Sequence, residues 1–141
     1  MGLRAALKHW RGWLLPERPL GTRGERLAAR YLKRQGYQIL GRQVCLPSGE
    51  LDLVARDEKT IVFVEVKTRE SDQHGRPSDA VTPAKQRRLT RLAVTFLKRY
   101  GLHDSPARFD VVAVTWPPGE KPRIEHFKNA FDAVGQWELY S

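Results

Sequence analysis

Between Gly49 and Thr68 the chain reads GELDLVARDEKTIVFVEVKT, a pattern that a β-hairpin satisfies and a helix does not. Glu50 to Arg56 alternates polar with apolar residues, and Ile61 to Val66 is rich in β-branched side chains. The four polar residues between them, Asp57 to Thr60, suit a tight turn. A turn centred between Glu58 and Lys59 sets Arg56 opposite Ile61, Val54 opposite Phe63, Asp52 opposite Glu65 and Glu50 opposite Lys67. Strand side chains alternate with period two, so one face becomes Leu51, Leu53, Ala55, Val62, Val64 and Val66, wholly apolar and assigned to the core. The other carries Glu50, Asp52, Val54, Phe63, Glu65 and Lys67. A slip of one residue would mix the two sets, which is what fixes the register.

That second face has an electrostatic problem. Directly opposed, Asp52 and Glu65 would hold their Cβ atoms about 5 Å apart, and like charges so placed destabilise a sheet. A divalent cation held by both carboxylates would offset the repulsion, because hard cations take oxygen ligands. Lys67 follows Glu65 on the same face, roughly 6.6 Å along the strand. Two carboxylates and a lysine so grouped suit phosphodiester cleavage, with the metal polarising phosphate and the lysine orienting water or stabilising developing charge. The competing reading is a solvated face with ordinary ion pairs, Glu50 to Lys67 among them. Val54 and Phe63 on the same face argue that it is at least partly covered, and covered carboxylates need partners.

The chain of 141 residues carries a net charge of +9, an excess that favours a polyanionic partner: DNA, RNA or an acidic membrane surface. One cysteine, Cys45, excludes an internal disulfide and a cysteine-based zinc cluster. It reads as a packed strand residue and fits the reducing cytoplasm. The four histidines have no metal-ligand spacing. No apolar run is long enough to span a bilayer, and Lys8 and Arg11 interrupt what would be a signal peptide's apolar region.

The organisation expected is a basic amphipathic appendage over residues 1–20, one domain over 21–132 and a tail over 133–141. In the appendage Leu3, Leu7, Trp10 and Leu14 repeat at helical spacing, and Pro16 and Pro19 close it. A helix should run from Thr22 to the residue before Gly36. Thr22 and Glu25 form a capping box, and Leu27, Ala28, Tyr31 and Leu32 make the buried stripe. Glu25 lies at the edge of that stripe, where it could also reach the hairpin's polar face. Tyr37 to Cys45 reads as a strand. From Arg69 to Val81 the chain reads as a surface loop, with Arg69 and Arg76 facing substrate. A second helix is capped by Thr82, started by Pro83 and stopped by Gly101, with Leu89, Leu92, Ala93, Phe96 and Tyr100 inward. Lys85 and Gln86 flank that stripe on the sheet side. A first-turn lysine opposes the helix dipole, so it either meets a phosphate or bends out to water. Arg87, Arg88, Arg91 and Lys98 face outward. Phe109 to Trp116 is a buried strand and Arg123 to Phe127 an edge strand. The fold class is α/β, one sheet with helices packed on it.

The stretches GTRGERLAARYLKRQGY, GELDLVA, VFVEVKTR, DAVTPAKQRRL and FDVVAV together resemble the YraN-like family of uncharacterised bacterial proteins, assigned to the restriction-endonuclease-like superfamily. The resemblance covers about residues 21 to 132 and implies a mixed β-sheet flanked by helices. The PD-(D/E)xK motif of that superfamily would fall on Asp52, Glu65 and Lys67, with Leu51 where the motif's name has proline. Holliday-junction resolvases of this fold also use a helix-one glutamate, which would be Glu25. The resemblance implies a Mg²⁺- or Mn²⁺-dependent endonuclease acting on DNA, branched or damaged forms included. Asp52, Glu65 and Glu25 would hold metal and Lys67 would assist water. Lys85, Gln86, Arg69, Arg76, Arg87 and Arg91 would contact nucleic acid. The alternative is a non-catalytic nucleic-acid-binding module of the same fold. RNA is a weaker choice of partner, and a homodimer is left open.

Overall fold

The hairpin forms in the register its pattern dictates. In the computed structural model, which describes residues 23–71 and 81–134, Arg56 pairs with Ile61 and Val54 with Phe63. The hairpin strands are β2 (Gly49–Asp57) and β3 (Thr60–Arg69), the second and third of five. The others are β1 (Gln38–Leu46), β4 (Ala107–Thr115) and β5 (Arg123–Phe131). The sheet order is β1-β2-β3-β4-β5, antiparallel throughout except for the β3–β4 pair. Parallel neighbours need a crossover, and helix α2 (Pro83–Arg99) lies between them in sequence. Helix α1 (Arg23–Arg34) precedes β1.

The two helices cover opposite faces of the sheet. Ala28, Ala29 and Leu32 of α1 pack on Leu53, Ala55, Val62, Val64, Val112 and Val114. Leu89, Leu92, Ala93 and Phe96 of α2 pack with Val54, Phe63, Phe109 and Val111. Both faces of the hairpin near its turn are therefore core. Gly24 lets α1 sit close: a Cβ there would come within 1.9 Å of the Thr68 hydroxyl on β3. The predicted helix ends hold where they are described. Gly36 adopts a φ of 93° and Gly101 one of 65°, and the Thr82 hydroxyl accepts from the Lys85 N–H at 3.2 Å. No helix among the described residues is long and apolar enough to cross a membrane.

Four expectations need correction. Leu51 does not share a face with Leu53; it packs with Val54, Phe63 and Leu89 beneath α2. Pairing of β2 with β3 ends at Leu53 and Val64, whereas β2 stays paired with β1 as far as Gly49. The simple alternation thus fails where β2 leaves β3. Cys45 is exposed rather than packed, because its neighbours Val44 and Leu46 take the inward positions on this edge strand. Arg69 ends β3, paired with Thr115, instead of opening a loop. Last, β5 continues past Phe127 to Phe131, whose ring stacks on Phe109 at 4.7 Å. The appendage over 1–20, Thr22 as a cap, Arg76 and most of the 133–141 tail lie outside the described residues.

A buried polar cluster unforeseen in the sequence ties the turn end of the sheet together on the α1 side. Asp110 is fully buried and accepts from Arg108 Nε and from the Asn129 N–H, each at 3.0 Å. Its other oxygen lies 2.8 Å from His126 Nε2. Arg108 Nη2 also donates to the Tyr37 hydroxyl at 2.6 Å and to Asp57 at 3.0 Å. Burial, reinforced by the Asp110 charge, pushes the Tyr37 hydroxyl up to about 12.

Candidate active site

The carboxylates collect where β2 and β3 part. Val66 lies beyond the last β2–β3 pair, so its N–H finds no partner in that ladder. The Asp52 side chain takes that place, accepting the Val66 N–H at 2.9 Å. The divergence that breaks the ladder is thus what turns Asp52 inward. Asp52 and Glu65 are not a paired rung, as the sequence suggested, but they remain neighbours. Burial pushes the Asp52 carboxyl up to about 7; the charge of Glu65 adds to this, the Val66 bond opposes it, and Glu25 adds further. A side-chain contact with Glu65 raises the Asp52 carboxyl a little further.

Glu25 reaches the same region from the first turn of α1. Its carboxyl is raised, chiefly by burial; a hydrogen bond from Gln43 lowers it, Glu50 and Glu65 raise it, and Arg42 lowers it. Glu25 thus lies in the field of Glu50 and Glu65, and Asp52 in that of Glu65 and Glu25. Gln43 was missed in the sequence. It sits in the irregular edge strand β1 with a φ of 45°, a backbone state that no sequence pattern around it announces.

The lysine in contact with this group is Lys85. Its Nζ lies 2.5 Å from Glu65 Oε1. Lys67 is exposed on β3, two residues beyond Glu65. Gln86 turns back on its own helix start and donates to the Val81 carbonyl at 3.0 Å. Arg87 and Arg91 are exposed on α2. Arg69 borders a cleft of about 510 Å³ with Arg23, Thr68 and Trp116, where the Arg23 guanidinium sits 4.2 Å above the Trp116 ring. The structure thus brings Asp52, Glu65, Glu25 and Lys85 together, and leaves Lys67, Arg87 and Arg91 as surface cations near or beyond them.

Among the described residues no three Asp, Glu, His or Cys side chains, Asp52, Glu65 and Glu25 included, are grouped so as to hold a metal ion. The oxygen-only, partly desolvated pair of Asp52 and Glu65 still fits Mg²⁺ or Mn²⁺. Mg²⁺ in phosphate chemistry is usually held by one or two carboxylates, with water and phosphate oxygens completing the shell.

Residues 24–114 match the family model described as uncharacterised protein family UPF0102, a span that runs from α1 into β4 and includes every residue of this carboxylate–lysine group. A UPF0102 protein of Geobacter sulfurreducens is 53% identical over 113 residues, covering 80% of this chain and 88% of its own. One from Geobacter metallireducens is 50% identical over 118 residues, covering 84% and 96%. One from Symbiobacterium thermophilum is 49% identical over 116 residues, covering 82% and 98%. The chain belongs to the UPF0102 family.

Proposed function

We propose that this protein is a metal-dependent endonuclease of the restriction-endonuclease-like superfamily, hydrolysing phosphodiester bonds in DNA, including branched or damaged forms. The observation that carries the reading is the desolvated Asp52–Glu65 pair at the parting of β2 and β3, with Glu25 at its edge. Two carboxylates brought together in partial desolvation repel, and a divalent cation between them would offset that repulsion. Asp52 and Glu65 would hold Mg²⁺ or Mn²⁺, with Glu25 supporting from α1. When bound, the ion supplies Lewis-acid polarisation of phosphate and a bound water of lowered pKa. Lys67, exposed beside Glu65, orients the attacking water and stabilises charge that develops in the transition state. Arg87 and Arg91 give α2 an exposed basic face for the phosphate backbone. The excess of 25 Lys and Arg over 16 Asp and Glu suits a polyanionic substrate, and the cytoplasm, where DNA is at hand, is the compartment assigned.

The test is direct. Purified protein is incubated with Mn²⁺ or Mg²⁺ and linear, flapped and four-way DNA, beside the matching RNAs, with Glu65→Ala as the control. Cleavage by wild type and none by the control supports the assignment. Lys67→Ala should lose cleavage but keep most binding, since its charge acts mainly in the transition state. Salt-dependent binding without cleavage of any substrate would identify a non-catalytic binding module instead. Absence of binding to any nucleic acid would defeat both.

A further inference from the structure

Glu65 already holds a cation of the protein's own. The Lys85 ammonium lies 2.5 Å from Oε1, in a pair whose side chains are 27% and 11% exposed. Each partner has a reason to be there. Lys85 stands in the first turn of α2, a turn with no acidic residue, where the helix dipole disfavours positive charge. Glu65 stands beside Asp52 and within the field of Glu25. The neighbouring carboxyls have other partners, since Asp52 accepts from the Val66 N–H and Glu25 is bonded to Gln43. An ammonium on Glu65 therefore relieves two unfavourable positions at once.

We propose that Lys85 is an internal placeholder for the metal, neutralising Glu65 until a divalent cation displaces it. The inference rests on the metal reading above and goes beyond it by assigning control of metal affinity to one side chain. Lysine suits the part, because its charge is a compact point on a flexible four-carbon stem and can leave without moving the backbone. Its backbone is fixed independently by the N–H donated to Thr82, so the side chain can change partner while α2 stays in place. An arriving ion must break a short charge-assisted contact before it gains Glu65, and its affinity is reduced by that amount.

Calorimetric titration with Mn²⁺, without nucleic acid, decides the matter when wild type is compared with Lys85→Gln and Lys85→Arg. Thermal melts beforehand confirm that the variants are folded. Lys85→Gln should bind Mn²⁺ about ten- to a hundredfold more tightly, the scale of losing one hydrogen bond to a charged group. Lys85→Arg keeps the charge and should stay within a few-fold of wild type. Equal affinity in wild type and Lys85→Gln would overturn the placeholder and leave the metal site standing, provided that Asp52→Asn abolishes the signal. Weaker binding in Lys85→Gln would also overturn it, and would make Lys85 a support for the ion. No Mn²⁺ binding by any of the proteins would overturn the placeholder together with the metal reading.

Discussion

Replacing Asp52 by asparagine should stabilise the metal-free protein, by an amount that depends on pH. In the fold the Asp52 carboxyl is pushed from 3.8 to about 7, first by burial and then by Glu65. The group therefore binds its proton more tightly folded than unfolded. Its contribution is most favourable below about pH 4 and is lost progressively as pH rises from about 4 to about 7, after which the loss is constant. At about 1.4 kcal/mol per unit, a rise of roughly three units sets an upper bound of about 4 kcal/mol. Part of that rise is repulsion from Glu65, whose charge Lys85 partly offsets, so removal of one charge should return about 1–3 kcal/mol at pH 8. Asparagine keeps an oxygen for the Val66 N–H and can donate to Glu65, so the geometry survives the change.

Urea unfolding in EDTA, at half-unit steps from pH 4.5 to 8, gives the comparison. Asp52→Asn should exceed wild type by little at pH 4.5 and by a widening margin up to about pH 7. A gap that is the same at pH 4.5 and pH 8, or a variant less stable at pH 8, would refute the account of a desolvated like-charge pair. Saturating Mn²⁺ supplies a second check, because a ligand at a hundred times its Kd stabilises by about 2.7 kcal/mol. It should raise wild type at pH 8 and leave Asp52→Asn nearly unmoved.

Three further outcomes follow from other parts of the molecule. Gly24→Ala should cost about 1–3 kcal/mol through overpacking against Thr68, and Thr68→Ala in the same chain should recover much of it in urea melts; additive losses would refute the close-approach argument. Asp110→Ala should cost about 2–4 kcal/mol, because half-buried Arg108 would keep only Asp57, and His126 and the Asn129 N–H would lose their acceptor. Burial would raise the Asp110 carboxyl, but the bonds from His126, Arg108 and Asn129 outweigh it and hold it low, so its stabilisation is full above about pH 4 and fades as pH falls below that; unfolding midpoints between pH 2.5 and 5 should lose their steepest fall in Asp110→Asn. Changing Arg87 and Arg91 together to Gln should weaken DNA binding and flatten its salt dependence by about 0.9 for each phosphate no longer neutralised; an unchanged slope would remove that face from the interface.

What the sequence revealed and what it hid divide by range. The hairpin register, the stop at Gly36 and the start of α2 at Thr82 and Pro83 are local rules, each decided within a few residues, and the structure keeps them. Both sheet faces being core was only half legible. Leu53, Ala55, Val62 and Val64 announce one face, but the second is covered because a crossover brings α2 onto Val54 and Phe63, and a crossover leaves no periodic trace in the strand it covers. The Asp110 cluster was invisible for the same reason. Its members come from the residue before β1, the end of β2, β4 and β5, and Tyr37 lies 73 residues from Asp110.

The carboxylate group shows the limit of placing residues by strand register. Asp52 and Glu65 were placed by strand register, which assumes that two strands stay paired. The observed geometry arises because they do not: β2–β3 pairing stops at Leu53, Val66 loses its ladder partner, and Asp52 supplies the acceptor. A site built on continued pairing would have pointed to Lys67, two residues along the same strand, as the nearest cation. A site built on divergence opens room on that face for α2, and Lys85, twenty residues from Glu65 in sequence, fills it. The first-turn lysine that looked anomalous against the helix dipole was the one signal of this in the sequence. Its charge is compensated by a carboxylate from another element, so a residue that violates a local rule marked the long-range contact that no local rule could supply.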